Sequence, residues 1–190
     1  TPAAFLKIDV QYAEEDEQFA REFAIPTRKV YSGELCPDHC NVMVLGDALK
    51  WAEAAGAEVL LVETAGLCLR CSPYVDGGLG VVVLEATSGM NLPLKVGPML
   101  SLADVAVVTK IDRVSQAERE VFRARILDAA PGVRVREVNA LHGIAIDPLV
   151  THVLETPDVT AELLLRGNPP VGTCTICVGK KNIGWQQHFG

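Results

Sequence analysis

The apolar positions of this chain fall in short aliphatic runs separated by stretches of helical spacing. Residues 3–10, "AAFLKIDV", read as a strand. Residues 14–23 follow as an acidic helix with Phe19, Ala20 and Phe23 on one face. "TRKVY" is a further short strand, and residues 41–55 have helical spacing through Val44, Leu45, Ala48, Trp51 and Ala52. "AEVLLVE" and "GVVVLEA" are near-continuous β-branched and aliphatic runs, the pattern of strands covered on both faces. "DVAVVTK" is the next strand, and Ser115 with Glu118 forms the capping box of a following helix. "VRVREVNA" supplies a last strand and "DPLVTHVLET" a short helix. This alternation predicts βαβ units and an α/β fold, a mostly parallel sheet with helices on both faces. From Pro157 onward Gly, Pro and Cys break the pattern, which predicts a core over residues 1–156 and a cysteine-bearing tail over 157–190.

Composition narrows the function classes. With 190 residues, 49% of them hydrophobic, the chain is long enough to bury a real core. Its net charge of -7 and lack of a basic stripe argue against nucleic acid or an anionic membrane as partner. The longest apolar runs are strand-sized, far short of the roughly 20 residues that span a bilayer. No charged-then-apolar leader opens the chain, so a cytoplasmic location is expected. In that compartment the six cysteines read as metal-binding or redox groups before they read as disulfides.

In parallel sheets ligands sit at the carboxyl ends of the strands, and here those positions carry an ordered series of polar residues. Asp9 closes the first strand, and Glu63, Thr64, Ala65 and Gly66 follow "EVLLV". Thr109, Lys110, Ile111 and Asp112 follow "DVAVV", and Asn139, Ala140 and Leu141 follow "VRVREV". A carboxylate placed like Asp112 accepts two donors from a guanine edge. The stem of Lys110 can cover such a base, and a backbone N–H near Ala140 can face its carbonyl. Glu63 supplies a carboxylate for Mg²⁺ or its water shell, and Gly66 a flexible backbone near a γ-phosphate.

On these residues the chain resembles the nickel-handling branch of the P-loop GTPases, the hydrogenase nickel-insertion and urease accessory GTPases, over about residues 3–155. The resemblance implies that Lys110 and Asp112 match the guanine-reading Asn-Lys-x-Asp motif, with Thr109 in place of its Asn. Glu63 and Gly66 match a Glu-x-x-Gly motif, and Asn139 and Ala140 a Ser-Ala base-binding loop. The segment from Val81 to Asp112, with Pro93, Leu94 and Lys95, is similar to the hydrogenase-type members. Such proteins bind GTP or GDP with Mg²⁺. They hold nickel or zinc between two subunits and pass it to a client metalloenzyme or another maturation protein.

The cysteines fit that picture in part. "CPDHC" offers Cys36, His39 and Cys40 where the family carries its metal motif, so the resemblance implies a homodimer through this Cys/His loop. Cys68 or Cys71 matches a further family cysteine after Glu-x-x-Gly. The tail pair Cys174 and Cys177 has no family counterpart. Thiolate with imidazole suits Ni²⁺, Zn²⁺ or an iron–sulfur cluster; the alternative is small core residues. No G-x-x-x-x-G-K-[ST] loop occurs in the chain, and "VGKK" has Cys174 where the first Gly belongs. The match begins at the family's second strand, so a truncated chain is expected, with a degenerate homologue or a split protein as alternatives. The reading is a metal-delivering GTPase, hydrolytic only with a P-loop from outside these residues. Two others stand beside it: a non-hydrolytic metal- or cluster-binding regulator, and a thiol–disulfide protein.

Overall fold

The β-branched runs of the chain become parallel strands and the amphipathic stretches pack over them. The computed structural model describes residues 1–33, 37–64, 74–159 and 163–167, with the backbone alone for residues 37–39, 42 and 98. The described strands are β1 (Ala3–Asp9), β2 (Thr27–Tyr31), β3 (Val59–Thr64), β4 (Val81–Glu85), β5 (Val105–Thr109) and β6 (Arg134–Glu137). The helices are α1 (Glu15–Phe23), α2 (Pro37–Ala54), α3 (Leu92–Lys95), α4 (Gly97–Leu102), α5 (Gln116–Ala129) and α6 (Asp147–Leu154). Among the described residues the strands form two parallel three-stranded sheets, in the orders β2-β1-β3 and β4-β5-β6. They belong to separate units, divided between residues 66 and 67.

In the first unit the period-2 alternation of β1 sends its side chains to two different helices. Leu6 and Ile8 pack with Cys40 and Ala48 of α2, joined by Val44, Leu60 and Val62. Phe5, Lys7 and Asp9 share the opposite face, where Phe5 stacks on Phe19 of α1 with ring centroids 4.3 Å apart. The first turn of α1 carries Glu15, Asp16 and Glu17, which favour the positive end of the helix dipole. Helix α2 starts at Pro37, a residue suited to the first turn, and not at residue 41 as the spacing predicts. His39 and Cys40 therefore lie on its first turn. The apolar run of β3 predicts cover on both faces, yet no residue of β3 is buried and Leu61 is 40% exposed. The cause is position: β3 is an edge strand whose described neighbour is β1 alone.

The second unit has the larger core. Val82, Leu84, Ala106, Val108 and Val135 pack with Val96, which joins α3 to α4, with Leu100 of α4 and with Phe122 and Ile126 of α5. On the other face Val105, Val107 and Val138 pack with Ile146 and with Leu149 of α6. Helix α5 opens with the predicted capping box: the Ser115 side chain accepts from the Glu118 N–H, and Glu118 accepts from the Ser115 N–H. The Pro- and Gly-bearing stretch over residues 92–102, to which the sequence pattern assigns no element, forms the short helices α3 and α4, each with Pro in its first turn.

The sequence pattern places residues from 157 onward in a tail, but residues 163–167 belong to the second unit. Val75 and Leu165 form an antiparallel bridge, and Arg166 donates its backbone N–H to the Tyr74 carbonyl at 3.0 Å. The Arg166 guanidinium donates to the carbonyls of Val75 and Leu102, each at 3.1 Å, and to that of Gly78. It also pairs with Asp104 at 2.7 Å. Leu165 is buried.

Candidate functional site

The base-side candidates all lie on the second unit, at the carboxyl ends of neighbouring strands. β5 and β6 pair in register through Val108 and Glu137, and Val138 donates its N–H to the Val108 carbonyl at 2.8 Å. The turns that leave them, over residues 109–113 and 139–144, therefore emerge side by side at one end of the sheet. Lys110 has φ of 56°, the left-handed region that costs an ordinary residue roughly 1–2 kcal/mol. That reversal starts the 3₁₀ turn Ile111–Arg113 and carries Asp112 to an exposed position. Asp112 forms no hydrogen bond or ion pair among the described residues.

Three further contacts shape this end. Thr109 donates its hydroxyl to the Leu84 carbonyl at 3.4 Å, which ties β5 to β4. Lys110 forms an ion pair with Glu85, and its ammonium holds the Glu85 carboxyl below the usual carboxylate range. Asn139 is buried, and its side-chain oxygen accepts from the His142 N–H at 3.2 Å. Its backbone closes the loop through two hydrogen bonds with Ile144. Ala140 and Leu141 are held exposed by that loop, Leu141 at 84%. Asn139 thus braces the turn, and Ala140 and Leu141 form its open surface. Glu85 was not among the sequence candidates, although it ends a strand as Asp9 does.

A polar groove on the same unit is lined by Gly78, Asp104, Arg134, His152 and Arg166. Asp104 and Arg134 stand at the beginnings of β5 and β6, so this groove lies at the opposite ends of the strands from Asp112 and Asn139.

On the first unit Asp9 and Glu63 do come together, but around a cation already in the chain. Lys7 is 4% exposed and pairs in register with Glu63 across β1 and β3. Its ammonium lies 2.7 Å from Glu63 Oε1, 3.5 Å from Glu15 Oε1 and 3.6 Å from Asp9 Oδ2. Burial acts to lower the Lys7 pKa, and the carboxylates of Glu63, Glu15 and Asp9 reverse that, leaving it above the ordinary lysine value. With the ammonium at the centre, the carboxylates as they stand do not fit Mg²⁺. Among the described residues no group of three or more His, Cys, Asp or Glu side chains is arranged to hold a metal ion. Lys7 was missed because a lysine in an alternating strand reads as a solvent-facing position.

The thiol candidates divide. Cys40 is 5% exposed and packs in the core with Leu6 and Ile8. His39 lies on the first turn of α2, described by its backbone alone. Cys36, Gly66, Cys68, Cys71, Cys174 and Cys177 lie outside the described residues. No described helix is long and apolar enough to cross a membrane.

Parallel strands flanked by helices, with polar turns at the carboxyl ends of the strands in each unit, define an α/β protein. The solved structures of hydrogenase maturation factor HypB share this fold. That from Archaeoglobus fulgidus superposes with a TM-score of 0.62 at 19% identity, covering 80% of this chain and 74% of that one. HypB from Helicobacter pylori, solved in complex with nickel, gives 0.64 at 15% identity, covering 84% and 78%. No protein-family model matches the chain. The chain belongs to the family of the uncharacterized protein MJ0120 of Methanocaldococcus jannaschii, with 42% identity over 187 residues, 97% of this chain and 79% of that protein. It is also 27% identical over 146 residues to the hydrogenase maturation factor HypB of Azotobacter chroococcum, covering 75% of this chain and about half, 47%, of that protein.

Proposed function

We propose that this protein binds guanine nucleotide and couples its binding and hydrolysis to the handling of nickel or a related metal during metalloenzyme maturation. The observation that supports this most is the pair of turns at one end of β5 and β6. Asp112 is exposed on a strained turn beside Lys110, and next to it stands the Asn139-braced loop with Ala140 and Leu141 exposed. An ionised carboxylate is acceptor-only, which suits the two donors of a guanine edge and not the mixed edge of adenine. The sequence likeness to a hydrogenase maturation factor supports the same reading. The phosphate-cradling loop would come from outside these residues.

The experiment is nucleotide binding by the full-length protein. GDP binds the native protein, and Asp112→Asn weakens it by about 100-fold or more, because an amide faces guanine donors with a donor of its own. The same variant gains affinity for xanthosine diphosphate, whose carbonyl accepts from that amide. Absence of GDP binding by the native protein, or equal binding by Asp112→Asn, overturns the reading.

The metal is cargo in this reading, carried by the thiols of Cys36, Cys68 and Cys71 with His39, and transferred between two copies joined through this Cys/His segment. The core position of Cys40 favours a smaller ligand set without it. The ammonium of Lys7 between Asp9 and Glu63 favours a second reading, a metal- or cluster-binding regulator that does not hydrolyse nucleotide. Native mass spectrometry with Ni²⁺ and with Zn²⁺ tests the metal half of both. Bound metal is expected in the native protein and is lost on Cys36→Ser or Cys71→Ser; unchanged stoichiometry removes metal handling from the proposal. Loss on Cys174→Ser as well assigns the tail thiols to the same metal.

A further inference from the structure

Lys7 is a lysine on a sheet face that an ordinary strand would fill with an apolar side chain. Its neighbour on the same strand and face is Phe5, stacked on Phe19. Burying an ammonium is costly unless it is paired and hydrogen-bonded. Here the pairing comes from three elements at once: Asp9 at the end of β1, Glu63 near the end of β3, and Glu15 at the start of α1. The other acidic residues of that first turn are taken separately. Lys29 of β2 pairs with Asp16 at 3.0 Å and with Glu17 at 3.2 Å, and donates to the Ala13 carbonyl. The two lysines thus divide the carboxylates of this face between them, three to Lys7 and two to Lys29.

The carboxylates around Lys7 are held from outside as well. Asp9 Oδ1 accepts from the Val10 N–H at 2.6 Å, and Glu15 Oε2 accepts from the Glu14 N–H at 3.1 Å. Each therefore has one oxygen on the backbone and the other toward the ammonium. Glu63 has its Oε1 on the ammonium, at hydrogen-bonding distance. This is the geometry of a cation centre whose cation is covalently part of the chain.

We propose that the Lys7 ammonium is the resident cation of the Asp9, Glu15 and Glu63 carboxylates and takes the place that a divalent ion would occupy between Asp9 and Glu63. Lys7 is a positioning residue: it fixes the two carboxylates at the strand ends and keeps divalent cations out. Whatever binds at this end of β1 and β3 does so without a metal ion held by Asp9 or Glu63. This inference does not rest on the guanine-nucleotide reading, since Asp112 can fail its test while Lys7 passes.

The test is direct binding of Mn²⁺ alone, followed by electron paramagnetic resonance on the full-length protein with no nucleotide present. In the native protein, Mn²⁺ binding is the same with and without Glu63→Gln or Asp9→Asn. Lys7→Met removes the buried charge and leaves carboxylates that reach solvent, with side-chain exposures of 23%, 45% and 48% for Asp9, Glu15 and Glu63. It gains a Mn²⁺ site at least about tenfold tighter than any in the native protein, because a like charge within 4 Å no longer opposes the ion. Adding Glu63→Gln abolishes the gain, and Lys7→Arg, which keeps the cation, shows none. Native binding that falls with Glu63→Gln overturns the proposal, and so does a folded Lys7→Met that gains no site. Circular dichroism checks that Lys7→Met is folded. If it is not, the native protein and Lys7→Arg, each compared with and without Glu63→Gln, decide the question.

Discussion

Lys110 combines a backbone cost with a chemical position, and the two can be separated. A left-handed conformation is costly for any residue with a Cβ and nearly free for glycine. Lys110→Gly and Lys110→Ala both remove the pair with Glu85, yet they differ in backbone freedom. The glycine variant is expected to be more stable than the alanine variant by about 1 kcal/mol in chemical denaturation, the reverse of their order at an ordinary turn position. Both lose nucleotide affinity relative to the native lysine. A glycine variant no more stable than the alanine variant removes the claim of strain. The sequence revealed Lys110 and Asp112 as candidates because they follow a buried strand, which is a local signal. It concealed Lys7, whose role depends on Glu63, 56 residues away. A single strand pattern carries no information about a partner at that distance.

At the scale of elements, the longer helices were legible from their spacing, and one of them from its cap as well. The Ser115 box was read from two residues and is present with both of its hydrogen bonds. Ser115→Ala is expected to cost about 1 kcal/mol in thermal or chemical unfolding near neutral pH. The Glu118 half of the box adds a pH dependence. The Ser115 backbone N–H, and then its hydroxyl, hold the Glu118 carboxyl below its ordinary value of 4.5. A carboxylate lowered in the folded state stabilises above the unfolded value and loses that contribution as pH falls through the folded one. Glu118→Ala is therefore less stable than the native protein at pH 7, and the gap narrows as the pH drops below 4.5. A gap that stays constant to low pH counts against the box. Helices α3 and α4 were illegible for the opposite reason. Pro and Gly punctuate them, and a helix of four to six residues is too short to show a period.

The architecture of the whole molecule was legible in outline, since alternating apolar runs and amphipathic stretches did become parallel strands and covering helices. Its division into two units was not, because each unit has the same βαβ grammar and no linker of distinct composition lies between them. The edge strands show the limit of reading burial from hydrophobicity. The run in β3 is as aliphatic as that in β4, yet both have a single described neighbour and both leave side chains in the open, Leu61 on one and Val83, 58% exposed, on the other. Hydrophobicity states what a strand would bury; pairing decides what it does bury.

The contact between residues 74–78 and 163–167 also has a mechanical side. Tyr74 and Arg166 stand at the same end of one short antiparallel pairing, next to the Val75–Leu165 bridge. Tension applied at Tyr74 and Arg166 would act on this pairing in the unzipping direction, beginning with the bond from Arg166 to Tyr74. Behind it stands a guanidinium anchored to three carbonyls and a carboxylate, which must let go together before the load reaches Phe122 or Ile126. Arg166 is thus a mechanical stop: a pull on Tyr74 and Arg166 must break these contacts before it reaches the hydrophobic core of this unit.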